Sequence, residues 1–173
     1  SIAFASDRTG AYAIHILDLA TGAIRLWATA EGQACEPAWS PDGQRIAFAV
    51  ERARVEIVDA GGTRSVGPAV KASADRMNPV ELHSPAFTPD GRGIVYPLLA
   101  NGRSEMIGPD GPLVSGQDVF PFRPAWLPDG DMIYAADGKI RRRTRSGQVS
   151  DIPFSLSVPV TRPNYRKRQR DYD

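Results

Sequence analysis

A heptapeptide that occurs three times constrains the fold of this chain more than any other feature. It reads PAWSPDG from Pro37 to Gly43, PAFTPDG from Pro85 to Gly91 and PAWLPDG from Pro124 to Gly130. An apolar segment follows each copy, and the isoleucines of these segments align with one another and with a similar segment at the start, at Ile2, Ile46, Ile94 and Ile133. Periods of about 40 residues are typical of propeller blades and solenoid units.

The residues inside each period favour a propeller. The 16 Gly and 15 Pro lie between short apolar runs, which indicates many tight turns. Each period contains a strand that ends at PDG, a second apolar strand, a third such as 54–59, and a short polar strand after a Gly-containing turn. Four antiparallel strands per repeat are the content of a propeller blade. The chain is therefore predicted to be an all-β β-propeller of four-stranded antiparallel blades.

About three and a half blades are expected in residues 1–152. A first blade lacks its inner strand, and further blades are predicted at about 36–66, 84–115 and 123–152. Residues 153–173 are predicted to connect the blades to further propeller or to a following domain.

The Pro-Asp-Gly tripeptides are interpreted as turns and not as catalytic sites. Proline presets φ for a turn, aspartate can bond its own backbone, and glycine accepts a positive φ. A reaction needs its carboxylate once, whereas a turn is needed in every blade. The predicted turn residues are Asp42, Gly43, Asp90, Gly91, Asp129 and Gly130.

No catalytic constellation is recognisable in the sequence. The only histidines are His15 and His83, and the single Cys35 excludes a thiolate cluster for zinc. Neither G-x-S-x-G nor a phosphate-binding glycine loop occurs. We predict no catalytic residue, no metal ligand and no cofactor in this chain, and interpret His15 as a solvated or edge-facing side chain of an alternating strand.

Three residues that are not repeated form a candidate binding site. Glu36, His83 and Arg123 each lie just before the inner strand of a blade. Such positions face the mouth of a propeller's central channel, where ligands and peptides dock. The hypothesis is that these three side chains share a binding role.

Charge and hydropathy exclude some partners. The net charge is +1, and the basic clusters at 141–145 and 162–170 lack interleaved aromatic residues on a continuous face, so nucleic acid is not predicted. Neither an apolar run long enough for a membrane span nor a secretory signal is visible.

The repeats resemble the TolB-like propeller repeat, a relative of the WD repeat. The segment PAWSPDGQRIAFA and the strand Ala13 to Asp18, with the turn that follows it, carry the resemblance. The third copy departs from it by Leu127 and by Tyr134, which stands one place early. The resemblance implies a ring of six to eight blades and a periplasmic or secreted protein, and residues 151–172 are similar to a segment of propellers that precede bacterial amidohydrolase domains.

Three functions follow from these resemblances. The first is a non-catalytic scaffold or binding propeller of an amidohydrolase, whose divalent metal, such as zinc, would belong to a downstream domain. The second is a TolB-like periplasmic propeller that binds a protein partner. The third is the propeller of a prolyl-oligopeptidase-type serine peptidase. The partner is accordingly either another protein or a catalytic domain of the same chain.

Overall fold

The computed structural model describes residues 1–71, 73, 75 and 77–159, and the residues that it describes form strands and turns but no helix. The strands make four antiparallel sheets in which the strand order follows the chain. The prediction of an all-β propeller built from four-stranded blades is confirmed. We call the sheets blades 1 to 4.

The strands are assigned to the blades as follows. Blade 1 contains β1 (Ile2–Ser6), β2 (Ala13–Leu17) and β3 (Ile24–Ala28). Blade 2 contains β4 (Ala34–Trp39), β5 (Arg45–Val50), β6 (Arg54–Asp59) and β7 (Arg64–Ala69). Blade 3 contains β8 (Glu81–Leu82), β9 (Ala86–Phe87), β10 (Ile94–Ala100), β11 (Arg103–Gly108) and β12 (Gly111–Val114). Blade 4 contains β13 (Ala125–Trp126), β14 (Met132–Ala136), β15 (Lys139–Arg143) and β16 (Val149–Ile152).

The inner strand of blade 3 is divided into two pieces, because both β8 and β9 pair with β10. The strands of blades 2 to 4 span 34–69, 81–114 and 125–152. Residues 153–159 form no strand. The rest of the predicted connecting segment, including the basic cluster at 162–170, lies outside the described residues.

Successive blades pack face to face, and strand β5 shows how. Neighbouring side chains of a strand point to opposite faces of its sheet. Ile46, Phe48 and Val50 join the core between blades 1 and 2. Ala47 and Ala49 join the core between blades 2 and 3. All five are fully buried, so this strand reads as a continuous apolar run rather than an alternating one.

The aromatic residue before each PDG turn fills an interface between blades, as predicted. Trp39 packs against the core between blades 1 and 2, where its ring meets Trp27 edge to face at 5.7 Å. Phe87 is buried between blades 2 and 3. Trp126 packs between blades 3 and 4 and donates its indole N–H to the carbonyl of Phe87 at 2.9 Å.

The PDG turn of blade 2 is closed by its own side chains. Asp42 accepts the hydroxyl of Ser40 and the backbone N–H of Gln44, the latter at 3.0 Å. Gly43 has a φ of 69°, which costs a glycine nothing. The hydroxyl and these backbone contacts hold the pKa of Asp42 below its ordinary value.

The turn of blade 3 repeats this arrangement. Asp90 accepts the hydroxyl of Thr88 at 2.5 Å and the N–H of Arg92 at 3.0 Å, and Gly91 has a φ of 71°. The hydroxyl of Thr88 is again the main cause of a lowered aspartate pKa.

Blade 4 has a shorter turn, which corrects the sequence alignment. The N–H of Leu127 bonds Asp131 O, one residue earlier than in the bond from Ser40 to Arg45 O in blade 2. Met132, and not Ile133, therefore pairs with Trp126. In this register Tyr134 corresponds to the core aromatic Phe48, so the apparent offset of the aromatic residue reflects a deletion in the turn.

Candidate functional site

The hairpin turns divide each blade into two ends. At the PDG end, β4 turns into β5. At the opposite end, β4 begins and β5 turns into β6. We call this opposite end the cleft end, because an open cleft lies there between blades.

The structure places Glu36, His83 and Arg123 together at the cleft end. The Glu36 carboxylate accepts the backbone N–H of Ser84 in the next blade. Its Oε1 atom lies 3.8 Å from Nδ1 of His83, which is only 8% exposed. The three predicted residues thus meet where the inner strands of three blades begin.

Arg123 connects blade 4 to the two blades before it. Its Nη2 donates to the carbonyls of Glu36 at 3.1 Å and Pro37 at 2.5 Å, both in blade 2. Its Nε donates to the carbonyl of Pro85 in blade 3 at 3.2 Å. Since these acceptors are backbone atoms, the side chain clamps three blades together.

Two further residues extend the network. Nε2 of His83 lies 3.2 Å from Oε2 of Glu81. The Arg52 guanidinium lies between the two carboxylates, with Nε 3.9 Å from Glu36 and Nη1 3.8 Å from Glu81. These distances exceed hydrogen-bonding range, so Arg52 is attracted to both acids without being fixed to either.

The backbone shows which positions of the three blades correspond. Glu36 and Ser84 both precede a proline and have positive φ, 56° and 40°. A bulge in the pairing of β4 with β5 spans Glu36. The residues that precede proline are therefore Glu36, Ser84 and Arg123, whereas His83 stands one position earlier in its blade, at the position of Cys35.

Two groups at this end have shifted pKa values. Burial favours the neutral acid of Glu36, but the contacts with His83 and the N–H of Ser84 outweigh it, so the pKa is lowered. Burial, and then the nearby Glu36 charge, raises the pKa of the Cys35 thiol to about 11. Cys35 is thus protonated at neutral pH and unsuited to act as a nucleophile.

A cleft of about 420 Å³ opens beside this network. Its lining comes from blades 1, 2 and 3 and comprises Tyr12, Gln33, Cys35, Glu51, Arg52 and Glu81. This volume lies within the range of ordinary ligand pockets. Because the residues that line the cleft come from neighbouring blades, the packing of the sheets sets its shape.

The turn between β5 and β6 brings two strained charged residues to the cleft. Glu51 and Arg52 have φ values of 52° and 51°, in the left-handed region. The corresponding turn is the two-residue Asn101-Gly102 in blade 3 and Asp137-Gly138 in blade 4, also with positive φ, whereas in blade 2 Ala53 adds a third residue before β6. Asn-Gly and Asp-Gly are the preferred pairs for such hairpins. Glu-Arg costs roughly 1–2 kcal/mol per residue there, and strain of this kind clusters at functional sites.

Four residues at the cleft end were not predicted from the sequence: Glu51, Arg52, Glu81 and Ser84. The substitution of Glu51-Arg52 for a favoured turn pair is visible in the sequence once blades 2, 3 and 4 are aligned. Ser84 could have been found by counting back from the repeated proline. Nothing in the pattern indicates Glu81, because it belongs to β8, the separate first piece of the inner strand of blade 3.

Two kinds of feature are absent from the described part of the chain. It holds no group of three or more His, Cys, Asp or Glu side chains arranged for a metal ion. It also has no helix long and apolar enough to cross a membrane.

The arginines of strand β15 are largely neutralised. Arg141 lies 2.9 Å from Asp137. Nη2 of Arg142 lies 2.7 Å from Oδ2 of Asp129, and its Nε lies 2.7 Å from Oδ2 of Asp131. These pairs leave Arg141 and Arg142 little free positive charge for contacts with phosphates.

His15 is not the solvated side chain that was expected. It is only 2% exposed and stacks on Phe4 with ring centroids 5.8 Å apart. Its Nδ1 lies 3.2 Å from the carbonyl of Ala13. The expectation was wrong because the central strand of blade 1 is covered on both faces.

Comparison with known proteins supports the fold. The sequence matches no protein-family model and no curated protein. Among solved structures, TolB from Acinetobacter baumannii superposes with a TM-score of 0.69 at 22% identity, over 88% of this chain and 41% of that protein. A putative TolB from Agrobacterium tumefaciens gives 0.67 at 18% identity, over 86% of this chain and 59% of that protein.

The molecule is thus a β-propeller by class. More particularly, its blades have the TolB-like propeller fold that the repeats predicted. A virginiamycin B lyase from Staphylococcus aureus is more distant, with a TM-score of 0.54 at 18% identity over 82% of this chain and 48% of the lyase. The chain spans about 41% and 59% of the two TolB structures, and identities this low show a shared fold rather than a shared activity.

Proposed function

We propose that this chain is a non-catalytic binding propeller that docks a protein partner at its cleft end. The observation that carries the proposal is the Glu51-Arg52 turn. A turn that requires positive φ holds two large charged residues at a cleft, although blades 3 and 4 use the favoured pairs. The Glu51 carboxylate accepts the backbone N–H of Gln33 at 2.6 Å, which fixes it at the cleft, and strain that brings two charged side chains to a cleft is explained if they serve recognition.

The network behind the turn supports the same proposal. Glu36 and Glu81 hold Arg52 at the cleft without a hydrogen bond to its guanidinium. Arg123 fixes the inner strands beneath. A rigid support that presents loosely held charged groups is suited to a docking surface, because the partner need not order the backbone.

Site-specific photo-crosslinking tests the proposal. The full-length protein, expressed in its native host, would carry p-benzoylphenylalanine in place of Tyr12, which lines the cleft, in one sample and of Gln44, which is exposed at the PDG end of blade 2, in another. We expect a discrete protein adduct from position 12 and none from position 44. Adducts from position 44 alone, or from neither position, would contradict the proposal.

The amidohydrolase and serine peptidase alternatives remain predictions that concern residues beyond this chain. Zinc content and amide hydrolysis by the full-length protein would test the first, and labelling of a reactive serine would test the second. The resemblance to TolB also leads us to propose a periplasmic or secreted location, which cell fractionation would test.

A further inference from the structure

A groove of about 730 Å³ opens between blades 3 and 4 at the PDG end. Trp126 forms part of its wall, together with Gly93 and Gly130. The groove is distant from the cleft in the fold, because it lies at the opposite hairpin turns. The equivalent space between blades 2 and 3 shows why this groove is open.

Between blades 2 and 3, the chain fills the corresponding space with an arginine of its own. Arg45 lies at the start of β5 and reaches across to blade 3. Its Nη2 donates to the carbonyl of Gly91 at 2.8 Å, and its Cζ lies 5.1 Å from the centroid of the Phe87 ring. Arg45 thus combines a charge-assisted hydrogen bond with a cation–π contact.

Blade 3 has a glycine where blade 2 has this arginine. The bond from Thr88 N to Gly93 O corresponds to the bond from Ser40 N to Arg45 O. A Cβ atom on Gly93 would lie 2.3 Å from Cγ of Pro109, so packing excludes a side chain there. Blade 3 therefore cannot supply an arginine to blade 4 from this position.

Blade 4 nevertheless has counterparts of the two groups that Arg45 contacts in blade 3, the aromatic ring and the turn glycine. Trp126 occupies the position of Phe87, and tryptophan is the best aromatic partner for a cation. Gly130 occupies the position of Gly91, with a φ of 85° where Gly91 has 71°. Within the described residues, cation–π contacts involve Phe4, Trp27 and Phe87, and none involves Trp126.

Charged groups of both signs surround the groove. The wall carries Asp90, Asp110, Asp129, Arg92, Arg143 and Arg145. Asp129 is paired with Arg142, and Arg143 donates to the carbonyl of Leu113 at 3.0 Å. Arg145 lies against Gly130, where a Cβ atom would be 2.9 Å from its Cδ, but the cation–π contacts of the described residues do not include Arg145 on Trp126. The formal charges balance, so the aromatic ring face and the turn carbonyl decide which ligand fits.

We propose that this groove binds an arginine side chain of a partner protein. The guanidinium stacks on Trp126 and donates to the carbonyl of Gly130, as Arg45 does within the chain at Phe87 and Gly91. This site does not depend on the function proposed for the cleft end.

Nuclear magnetic resonance of the tryptophan indoles tests the site in the full-length protein. The protein is labelled with 15N at its indole nitrogens, and the Trp126 signal is identified by its loss in Trp126→Phe. The probe is the peptide acetyl-Gly-Arg-Gly-amide, and its control is the same peptide with neutral, isosteric citrulline in place of arginine. A third peptide carries glutamate.

We expect a saturable shift of the Trp126 indole with the arginine peptide, while Trp39, in the core between blades 1 and 2, stays unchanged. The citrulline peptide should bind at least about fivefold more weakly, since it lacks the charge. The site is refuted if the arginine peptide causes no shift, if citrulline or glutamate is equally effective, or if all indoles shift alike. The peptide comparisons use the unaltered protein, and the Trp126→Phe variant serves only to assign the signal.

Discussion

The PDG end and the cleft end of the blades are built by the same repeat but differ in how closely they keep to it. At the PDG end, blades 2 and 3 close their turns with a hydroxyl, an aspartate and a glycine at equivalent positions. At the cleft end, the equivalent positions carry different residues: Glu36, Ser84 and Arg123 before proline, and Glu51-Arg52 in place of Asn-Gly. We infer that residues repeated in the blades are those that each blade needs to fold. Residues that occur in one blade only serve the molecule as a whole.

The largest effect is expected from the clamp at the cleft end. Arg123→Ala removes three hydrogen bonds from a charged donor to backbone carbonyls in two other blades. We expect the free energy of unfolding in urea to fall by about 2–3 kcal/mol. Arg92→Ala is the matched control, because Arg92 is exposed at the PDG end, and should change it by less than about 0.5 kcal/mol. Equal effects of the two changes would remove the distinction between the ends.

Replacement of the strained turn should have the opposite sign. Glu51-Arg52→Asn-Gly puts a favoured type I′ pair at positions whose φ values are 52° and 51°. We expect the protein to be stabilised by about 1 kcal/mol in urea unfolding, because relief of the left-handed strain outweighs loss of the hydrogen bond from Gln33 N–H to Glu51. The reciprocal change, Asn101-Gly102→Glu-Arg, should destabilise it by a similar amount. A stabilising reciprocal change would show that strain does not explain the difference between these turns.

Loss of a turn glycine at the PDG end should cost stability for a purely conformational reason. Gly43 has a φ of 69°, and a Cβ atom there would meet nothing within 4 Å. Gly43→Ala is therefore expected to destabilise by about 1 kcal/mol. Gly61→Ala is the control, since Gly61 lacks a positive φ, and thermal unfolding should show little change for it. A tolerated Gly43→Ala would weaken the view that these turns are repeated for folding.

The smallest effect concerns pH. The pKa of Glu36 is lowered in the folded protein, so its contribution to stability is complete above the unfolded-state pKa and is lost as the pH falls through the lower folded-state value. Glu36→Gln should therefore flatten part of the decline in stability below about pH 4.3. Urea unfolding from pH 6 to pH 3 measures this slope. An unchanged slope would show that the contacts of Glu36 with His83 and Ser84 do not favour its charged form.

Sequence reasoning succeeded where a residue type has one local consequence. Proline, aspartate and glycine in series predict a turn, and three copies predict stacked sheets. It failed for His15, because burial depends on which faces of a strand the neighbouring side chains cover. It also failed for the register of blade 4, because deletion of one turn residue shifts Met132 into the place assigned to Ile133.

The candidate site was predicted in part. Glu36, His83 and Arg123 were identified as residues that are not repeated, and the structure brings them together, but their role in binding remains a prediction. Glu81 was not predicted, since its position depends on the path of the chain from β7 to β8. The reach of Arg123 across two blades was equally inaccessible, because its partners are backbone carbonyls whose positions exist only once three sheets are packed.

The sequence by itself determined the repeat, the turns, the aromatic residue at each blade interface and the all-β class, because each depends on contacts between residues near one another in the chain or on a period read directly from it. Only the tertiary structure decided that Glu51 and Arg52 lie beside Glu81, and that the space filled by Arg45 is open at Gly93. Both depend on how one sheet meets the next, and that geometry arises from packing between residues that are distant in sequence.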